Sequence, residues 1–271
     1  MKKLWLNIII FLVMLGVGVF FVFYKNEPGV IKELIPTAQV YPHTITNESK
    51  IPEGSRSFGV GVNSPTPNPI TTPGSISSDG FKLASEINLK VPFTPQAPHA
   101  NWDEIHQEFC EEASMLMAAS YIKGWDIPDA DTADRKMFEI KTFEEERFGY
   151  YKDTTAEETA TIMKEFYDID RVKVIYGPTV EDIKKALSES RVVMVPAAGR
   201  QLGNPYFRSP GPLYHMLVIK GYTKEGNFIT NDPGTRRGAD FIYLPSVLMN
   251  AIHDWNGGDV EHGRKVIIIV G

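Results

Sequence analysis

The chain has 271 residues, of which 42% are apolar and 23% are charged, and its formal net charge is −6. This apolar content excludes a wholly disordered chain, and the length suffices for one or two domains with a sizeable core. The acidic balance gives no global electrostatic footprint for nucleic acid, so no nucleic-acid partner is predicted. The single cysteine, Cys110, excludes an intramolecular disulfide framework and a cysteine-rich zinc or iron–sulfur site.

Residues 4–24 form an apolar stretch that predicts a membrane anchor, with Asn7 as its one strongly polar residue. As a helix this stretch is about 31 Å long, close to the ~30 Å hydrocarbon core of a bilayer. A core helix would show a polar face, and a cleaved signal peptide would have a shorter apolar region and a small-residue cleavage site. Lysines before the span favour a short cytoplasmic N-terminus. We therefore expect residues 1–25 to be a transmembrane signal-anchor that contacts the lipid bilayer through residues 4–24. The expected location is the cell membrane, single-pass, with the rest of the chain extracytoplasmic.

Residues 26–85 are rich in Pro, Gly, Ser and Thr, most densely in SPTPNPITTPGSISSDG. Such a composition buries too little surface to offset chain entropy, which is typical of a linker. Residues 86–271 are globular in composition and long enough for one domain.

In residues 86–271 the predicted helices come first and most of the predicted strands come later, so helices and strands do not alternate regularly. A helix is expected from Cys110 to a stop at Gly124, followed by a charged, partly helical segment over residues 129–147. Thr155 and Thr179 each begin a further helix, the former with capping-box spacing, and a strand is expected over residues 172–176. Four more strands are expected in RVVMVPA, YHMLVIKGY, NFITND and KVIIIVG. This order predicts an α+β fold. The sequence has no glycine-rich phosphate loop between a strand and a helix, which argues against a nucleotide-binding fold.

Cys110 stands where a largely apolar helix is expected to begin. The partial positive charge of a helix N-terminus stabilises a thiolate, although Glu111 and Glu112 oppose this effect. From its position alone Cys110 is either a packed hydrophobic residue or a nucleophile.

A nucleophilic thiol needs a base, and His215 differs from the other histidines because it lies inside a predicted strand. If the next turn has four residues, Tyr222 pairs with Asn227, and His215 and Asp232 become diagonal neighbours on one face of a hairpin. The two side chains are then within contact distance, and the carboxylate can orient the imidazole. A loop one residue longer or shorter would put Asn231 on that face instead.

Acyl transfer to a thiol also needs hydrogen-bond donors for the developing oxyanion. Gln96, in VPFTPQAP, and Gln107, three positions before Cys110, are the upstream candidates.

The runs LKVPFTPQAPHANWDEIHQEFCEEASMLMA, YHMLVIKGY and ITNDPG resemble the family 39-like cysteine peptidases. These belong to the papain-like group and are related to bacteriocin-leader-processing domains. The resemblance implies a papain-like fold in which Cys110 opens a buried helix, while His215 and Asp232 lie on an antiparallel sheet. It also implies a peptide or protein substrate, with Gln96, Cys110, His215 and Asp232 as the catalytic residues and no metal or organic cofactor. Phe109 stands where many relatives have glycine, and Gln96 lies further upstream of the cysteine than in the compact processing domains, which keeps Gln107 as an alternative donor.

The function expected from these residues is hydrolysis of peptide bonds by a membrane-anchored cysteine peptidase. His215, oriented by Asp232, activates Cys110, whose thiolate attacks a carbonyl carbon. The alternatives are a catalytically silent peptide-binding module and a cell-wall transpeptidase or amidase that uses the same thiol. A metal hydrolase built on His215, Asp232 and His253 is a weaker one, because no HExxH-like pair exists. The loop AAGRQLGNPYFRSPGP before His215 suits a flap over the cleft, with Arg200 and Arg208 facing substrate.

Overall fold

A computed structural model of the chain describes residues 83–271. The predicted anchor at residues 4–24 and nearly all of the predicted linker lie outside the described residues. Between residues 83 and 271, no helix combines the length and the apolar content needed to cross a membrane.

One antiparallel sheet of seven strands organises the described part of the chain. The strand order is β2–β7–β3–β4–β5–β6, and the short β1 pairs with the end of β4. The strands are β1 (Ile87–Asn88), β2 (Val172–Tyr176), β3 (Val192–Ala198), β4 (Tyr214–Tyr222), β5 (Phe228–Asn231), β6 (Phe241–Tyr243) and β7 (Val266–Val270).

Within residues 83–271, five α-helices cover the two faces of this sheet. They are α1 (Cys110–Lys123), α2 (Ala130–Phe148), α3 (Ala156–Glu165), α4 (Val180–Ser188) and α5 (Pro245–Ala251). Short 3₁₀ turns span His106–Glu108, Gly199–Leu202 and Val260–His262. The predicted α+β class with an antiparallel sheet is confirmed.

The helix ends follow the capping residues in the sequence. Gly124 ends α1 in the left-handed conformation at φ 69°, where a side chain would be strained. The side chain of Asp129 accepts a hydrogen bond from the Thr132 N–H at the start of α2. Thr155 and Thr179 form capping boxes with Glu158 and Asp182.

Alternation along the central strands divides the core into two layers. Met194, Met216 and Ile268 face α1, α2 and α3, whereas Val195, Leu217 and Ile267 face α4 and α5. Strands β3, β4 and β7 are buried along their whole length. Because both faces of these strands are covered, they read in the sequence as nearly continuous apolar runs.

The β4–β5 hairpin differs from the predicted register next to its turn. Tyr222 pairs with Phe228, not with Asn227, and an irregularity between Ile219 and Gly221 then restores the expected pairing, so that Val218 faces Asn231. Strand β1 passes so close to Gly221 that a Cβ at this position would lie 2.0 Å from the Ile87 carbonyl oxygen, so only glycine fits there. The bulge places the end of β5 where the diagonal contact with His215 was expected.

Candidate active site

Cys110 is the first residue of α1 and is buried, with 5% of its surface exposed. The helix is held against β4 by the Ser114 hydroxyl, which donates to the Met216 carbonyl at 3.1 Å. No side chain caps the start of α1, and among residues 83–271 the Cys110 N–H has no hydrogen-bond acceptor. The Cys110 N–H is therefore free for a substrate oxygen.

The turn before Cys110 is fixed by a buried, doubly bonded histidine. The ring nitrogens of His106 lie 2.7 Å from Asp103 Oδ1 and 2.7 Å from Asp134 Oδ1. Burial alone would lower the pKa of His106, but the two carboxylates outweigh it and raise that pKa. The ring also packs edge-on against Phe109, which is fully buried. Phe109 therefore anchors this turn in the core.

The two candidate oxyanion donors both contact this turn. Gln96 is buried, and its Nε2 donates to the carbonyls of His106 and Gln107, each at 2.9 Å. The Gln107 side chain instead donates to the carbonyls of Trp102 and Asp103 at the surface. Of the two, Gln96 is the one that faces the start of α1. Its amide would have to release one of these carbonyls to reach a substrate oxygen.

A carboxyl group contacts the cysteine sulfur directly. The Cys110 thiol donates to Glu111 Oε2 at 2.9 Å, and Glu111 is 1% exposed. Burial raises the pKa of the thiol well above its usual value, and the neighbouring Glu111 adds to this effect, whereas the Met216 backbone opposes it. Burial also raises the pKa of Glu111, to about 8. Near neutral pH the resting site therefore holds a thiol beside a protonated carboxyl, so a base is needed to form the thiolate.

Replacing Glu111 by glutamine is expected to increase the reactivity of Cys110 at alkaline pH. Above its pKa of about 8, Glu111 is a negative charge 2.9 Å from the sulfur and disfavours the thiolate. Removing this charge should speed alkylation of Cys110 by iodoacetamide about tenfold near pH 9 and change it little near pH 6. Because Cys110 is the single cysteine, labelling of the full chain reports this site alone. The matched control is Glu104→Gln, which removes an exposed carboxylate before α1. Equal alkaline rates for Glu111→Gln and the unmodified chain would contradict the prediction.

His215 and Asp232 are in contact beneath the surface. His215 Nε2 lies 2.8 Å from Asp232 Oδ1, and the two residues are 1% and 0% exposed. Among the described residues, His215 Nδ1 has no hydrogen-bond partner, and the ring of Phe207 packs edge-on against the imidazole. Asn231, the residue expected in the alternative register, instead donates to the carbonyls of Val91 and Pro92.

Three further groups hold the Asp232 carboxylate. Its Oδ2 accepts from Asn204 Nδ2 at 2.9 Å and from the Tyr243 hydroxyl at 2.7 Å, and its Oδ1 accepts from the Gly234 N–H at 3.0 Å. Burial alone would raise the pKa of Asp232, but His215, the Tyr243 hydroxyl and the Gly234 N–H outweigh it and lower that pKa. The carboxylate therefore remains ionised, and it fixes the orientation of the imidazole.

Cys110 and His215 both neighbour Met216 of β4. The Met216 backbone acts on the Cys110 thiol, and Met216 directly follows His215. The contact of His215 with Asp232 is of the kind that orients a base for a thiol nucleophile.

The remaining candidates lie elsewhere. The His253 Nδ1 contacts the Ala251 carbonyl at 3.2 Å, and burial lowers the pKa of this histidine. Across residues 83–271, no three His, Cys, Asp or Glu side chains are grouped so that they could hold a metal ion. Arg200 and Arg208 are exposed on the loop before β4, which contacts the imidazole of His215 through Phe207.

Glu111, Asn204 and Tyr243 are contacts that the sequence did not reveal. Neighbouring residues on a helix project in different directions, so Glu111 was not expected to meet the sulfur of Cys110. Asn204 and Tyr243 lie in separate segments that only the tertiary fold brings to Asp232. The one local signal is the apolar run FIY, which contains Tyr243 and could have indicated a strand. This run is short and ends near a proline.

Comparison with known proteins places this chain in a family. Residues 88–255 match the Peptidase_C39 like family. A crystal structure described as a C39-like peptidase from Bacillus anthracis is similar at 14% identity and a TM-score of 0.45, covering 69% of this chain and 97% of that one. Active wild-type interpain A, a cysteine protease of Prevotella intermedia, is similar at 14% identity and a TM-score of 0.41, covering 69% of this chain and 95% of that one. No curated protein matches the chain.

The matched residues span more than half of the chain and include Cys110, His215 and Asp232. The protein is a cysteine-type peptidase, a hydrolase whose substrate is a peptide or a protein. It belongs to the Peptidase_C39 like family.

Proposed function

We propose that this protein is a membrane-anchored, extracytoplasmic peptidase that cleaves peptide bonds with Cys110 as nucleophile, His215 as base and Asp232 as the residue that orients the base. The observation that carries the proposal is the buried 2.8 Å contact of His215 with Asp232, next to the strand residue whose backbone acts on the Cys110 thiol. A papain-like arrangement of helix and sheet is part of this proposal.

In the proposed reaction, His215 takes the proton of the Cys110 thiol, and the sulfur bonds to the substrate carbonyl carbon. The Cys110 N–H and the amide of Gln96 hold the developing oxyanion. The carbon–nitrogen bond then breaks as His215 gives its proton to the leaving amine. Water, deprotonated by His215, attacks the thioester and releases the acid, and the proton returns to the thiol.

The membrane part of the proposal depends on the sequence of residues 4–24. Their length and apolar content suit a single span, and the composition of residues 26–85 suits a tether that carries the peptidase away from the bilayer. The peptidase would then act outside the cytoplasm, as a single-pass protein of the cell membrane.

The test compares the full chain with Cys110→Ser and His215→Ala in a membrane preparation. Cleavage of a peptide library should be lost in both variants, by at least about 10³-fold, because nucleophile and base act as a unit. Alkylation of Cys110 by iodoacetamide should also slow in His215→Ala. The exposed His262→Ala is the control, since this histidine pairs with Asp259 at the surface.

Cleavage that persists in Cys110→Ser would overturn the assignment of the nucleophile, and binding without any cleavage would favour a silent peptide-binding module. Mass spectrometry of the products separates hydrolysis from transfer to an amine. Activity found only in the soluble fraction would contradict the anchoring.

A further inference from the structure

The loop before β4 forms a cavity of about 250 Å³ next to the proposed base. Arg200, Asn204, Phe207 and Ser209 contribute to its lining, together with glycine and proline residues of the same loop. Buried hydrogen bonds hold the loop in place, because Asn204 donates to both the Asp232 carboxylate and the Tyr243 hydroxyl. The cavity is therefore a preformed feature of the fold.

This cavity lies on the histidine side of the site. The Phe207 and His215 rings are 5.2 Å apart between centroids, and a Cβ on Gly199 would lie 3.1 Å from the His215 Cβ. In the proposed reaction His215 protonates the leaving amine, so the substrate residue that follows the cleaved bond lies on this side. The cavity is placed to receive the side chain of that residue.

Four exposed arginines lie on the cavity loop and on the loop that follows Asp232. Arg200 lines the cavity, Arg208 lies on the same loop, and Arg236 and Arg237 lie on the loop that follows Asp232. These two loops meet, because a Cβ on Gly234 would lie 2.7 Å from the ring of Phe207. Within residues 83–271, none of the four arginines has a carboxylate oxygen within 4.0 Å, although all four are exposed.

Packing against aromatic rings holds one of these arginines, Arg237, in place. The Arg237 guanidinium lies over the ring of Tyr206, 4.9 Å from its centroid, and that ring packs edge-on against Phe241. Arginine is suited to bind a carboxylate through two parallel N–H donors. In a chain whose formal net charge is −6, exposed arginines beside the cavity favour an anionic ligand there.

We propose that this cavity is a specificity pocket in which Arg200 binds a carboxylate carried by the residue immediately after the cleaved bond. The inference rests on the proposed peptidase function and adds its substrate class, peptides with Asp or Glu at that position. A free C-terminal carboxylate offers the same chemistry, so the experiment must separate the two sources.

The test uses the full chain and peptide pairs built on any sequence that it cleaves in a library. Each pair has Glu or Gln after the cleaved bond, and a second set ends at that residue with either a free carboxylate or an amide. The Glu peptide should be favoured about tenfold in kcat/KM, and Arg200→Ala should bring this ratio close to one. Arg200→Lys should restore part of the preference, whereas Arg171→Ala, an exposed arginine beside β2, should leave it unchanged.

A preference that follows the C-terminal carboxylate and not the side chain would assign the pocket to chain ends. Equal cleavage of all peptides, or a preference that survives in Arg200→Ala, would overturn the proposal. If the chain cleaves no peptide, the proposed function fails and the pocket is tested by binding. In that case a dye-labelled Glu-rich peptide should bind the unmodified chain more tightly than its Gln counterpart, and Arg200→Ala should abolish the difference. Equal binding of the two peptides would then refute the pocket.

Discussion

Replacing Asp232 by alanine is expected to reduce kcat/KM about 10³-fold and to lower the stability of the fold by about 3 kcal/mol. The carboxylate is 0% exposed and receives hydrogen bonds from Asn204, Tyr243 and Gly234 in addition to its contact with His215. Without it, these buried donors lose their acceptor and the imidazole loses the group that orients it. Thermal unfolding should shift downward by about 10 °C, and peptide cleavage measured on the same samples gives the kinetic loss.

Two variants separate the role of Asp232 from a general loss of packing. Tyr243→Phe removes one donor and keeps the carboxylate, so its kcat/KM should fall much less. Asp259→Ala breaks another Asp–His contact of 2.8 Å, but an exposed one, and should change neither stability nor cleavage appreciably. An Asp232→Ala protein with unchanged activity would show that the carboxylate does not act through His215.

The local elements of this fold could be predicted because they depend on short-range patterns. The caps at Thr155 and Thr179 and the left-handed stop at Gly124 appear in the sequence as residue types at fixed spacing. The missed elements, β1, β6 and α5, are seven residues or fewer. A two- or three-residue strand exists only through its pairing with a neighbour, and a short run of residues carries no periodicity from which to infer it.

The hairpin shows how a tertiary contact overrides a local rule. Loop length alone predicts that Tyr222 pairs with Asn227, but β1 lies so close to Gly221 that no side chain fits there. At the same place the strand has a bulge between Ile219 and Gly221, and the bulge shifts the pairing by one residue. The predicted contact between His215 and Asp232 forms because this shift cancels the error at the turn.

The order of Gln96, Cys110, His215 and Asp232 could be read from motifs, but the electrostatic setting of the thiol could not. A cysteine at a helix N-terminus suggests a lowered pKa, whereas burial and Glu111 raise it. Burial is a property of the whole fold, so the sequence offered no measure of it. In the proposed mechanism, this difference leaves more of the activation of the thiol to His215 than the helix start alone would suggest.

The stability of the fold is expected to fall as the pH rises from about 5 to about 9, because α1 and α2 bury three carboxyl groups. Burial raises the pKa of Glu111 to about 8 and that of Glu144 to about 9, and it raises the pKa of Glu112 well above its usual value. In the unfolded chain these groups release their protons near the ordinary value of 4.5. Between these limits the native state binds more protons than the unfolded state, so each increase in pH favours unfolding.

Thermal unfolding of the full chain should therefore occur about 10 °C lower near pH 9 than near pH 5. His106 and Asp153 act in the same direction, since their pKa values are also raised. Glu144→Gln removes one titration and keeps the side-chain volume, so the unfolding temperature should depend less steeply on pH and exceed that of the unmodified chain near pH 9. Glu146→Gln, which is exposed on the same helix, should follow the unmodified chain. A flat or rising profile over this range would mean that the buried carboxyls are ionised and compensated in the native state. In that case their negative charges would act on the Cys110 thiol together with that of Glu111. The alkaline reactivity of Cys110 would then not depend on Glu111 alone.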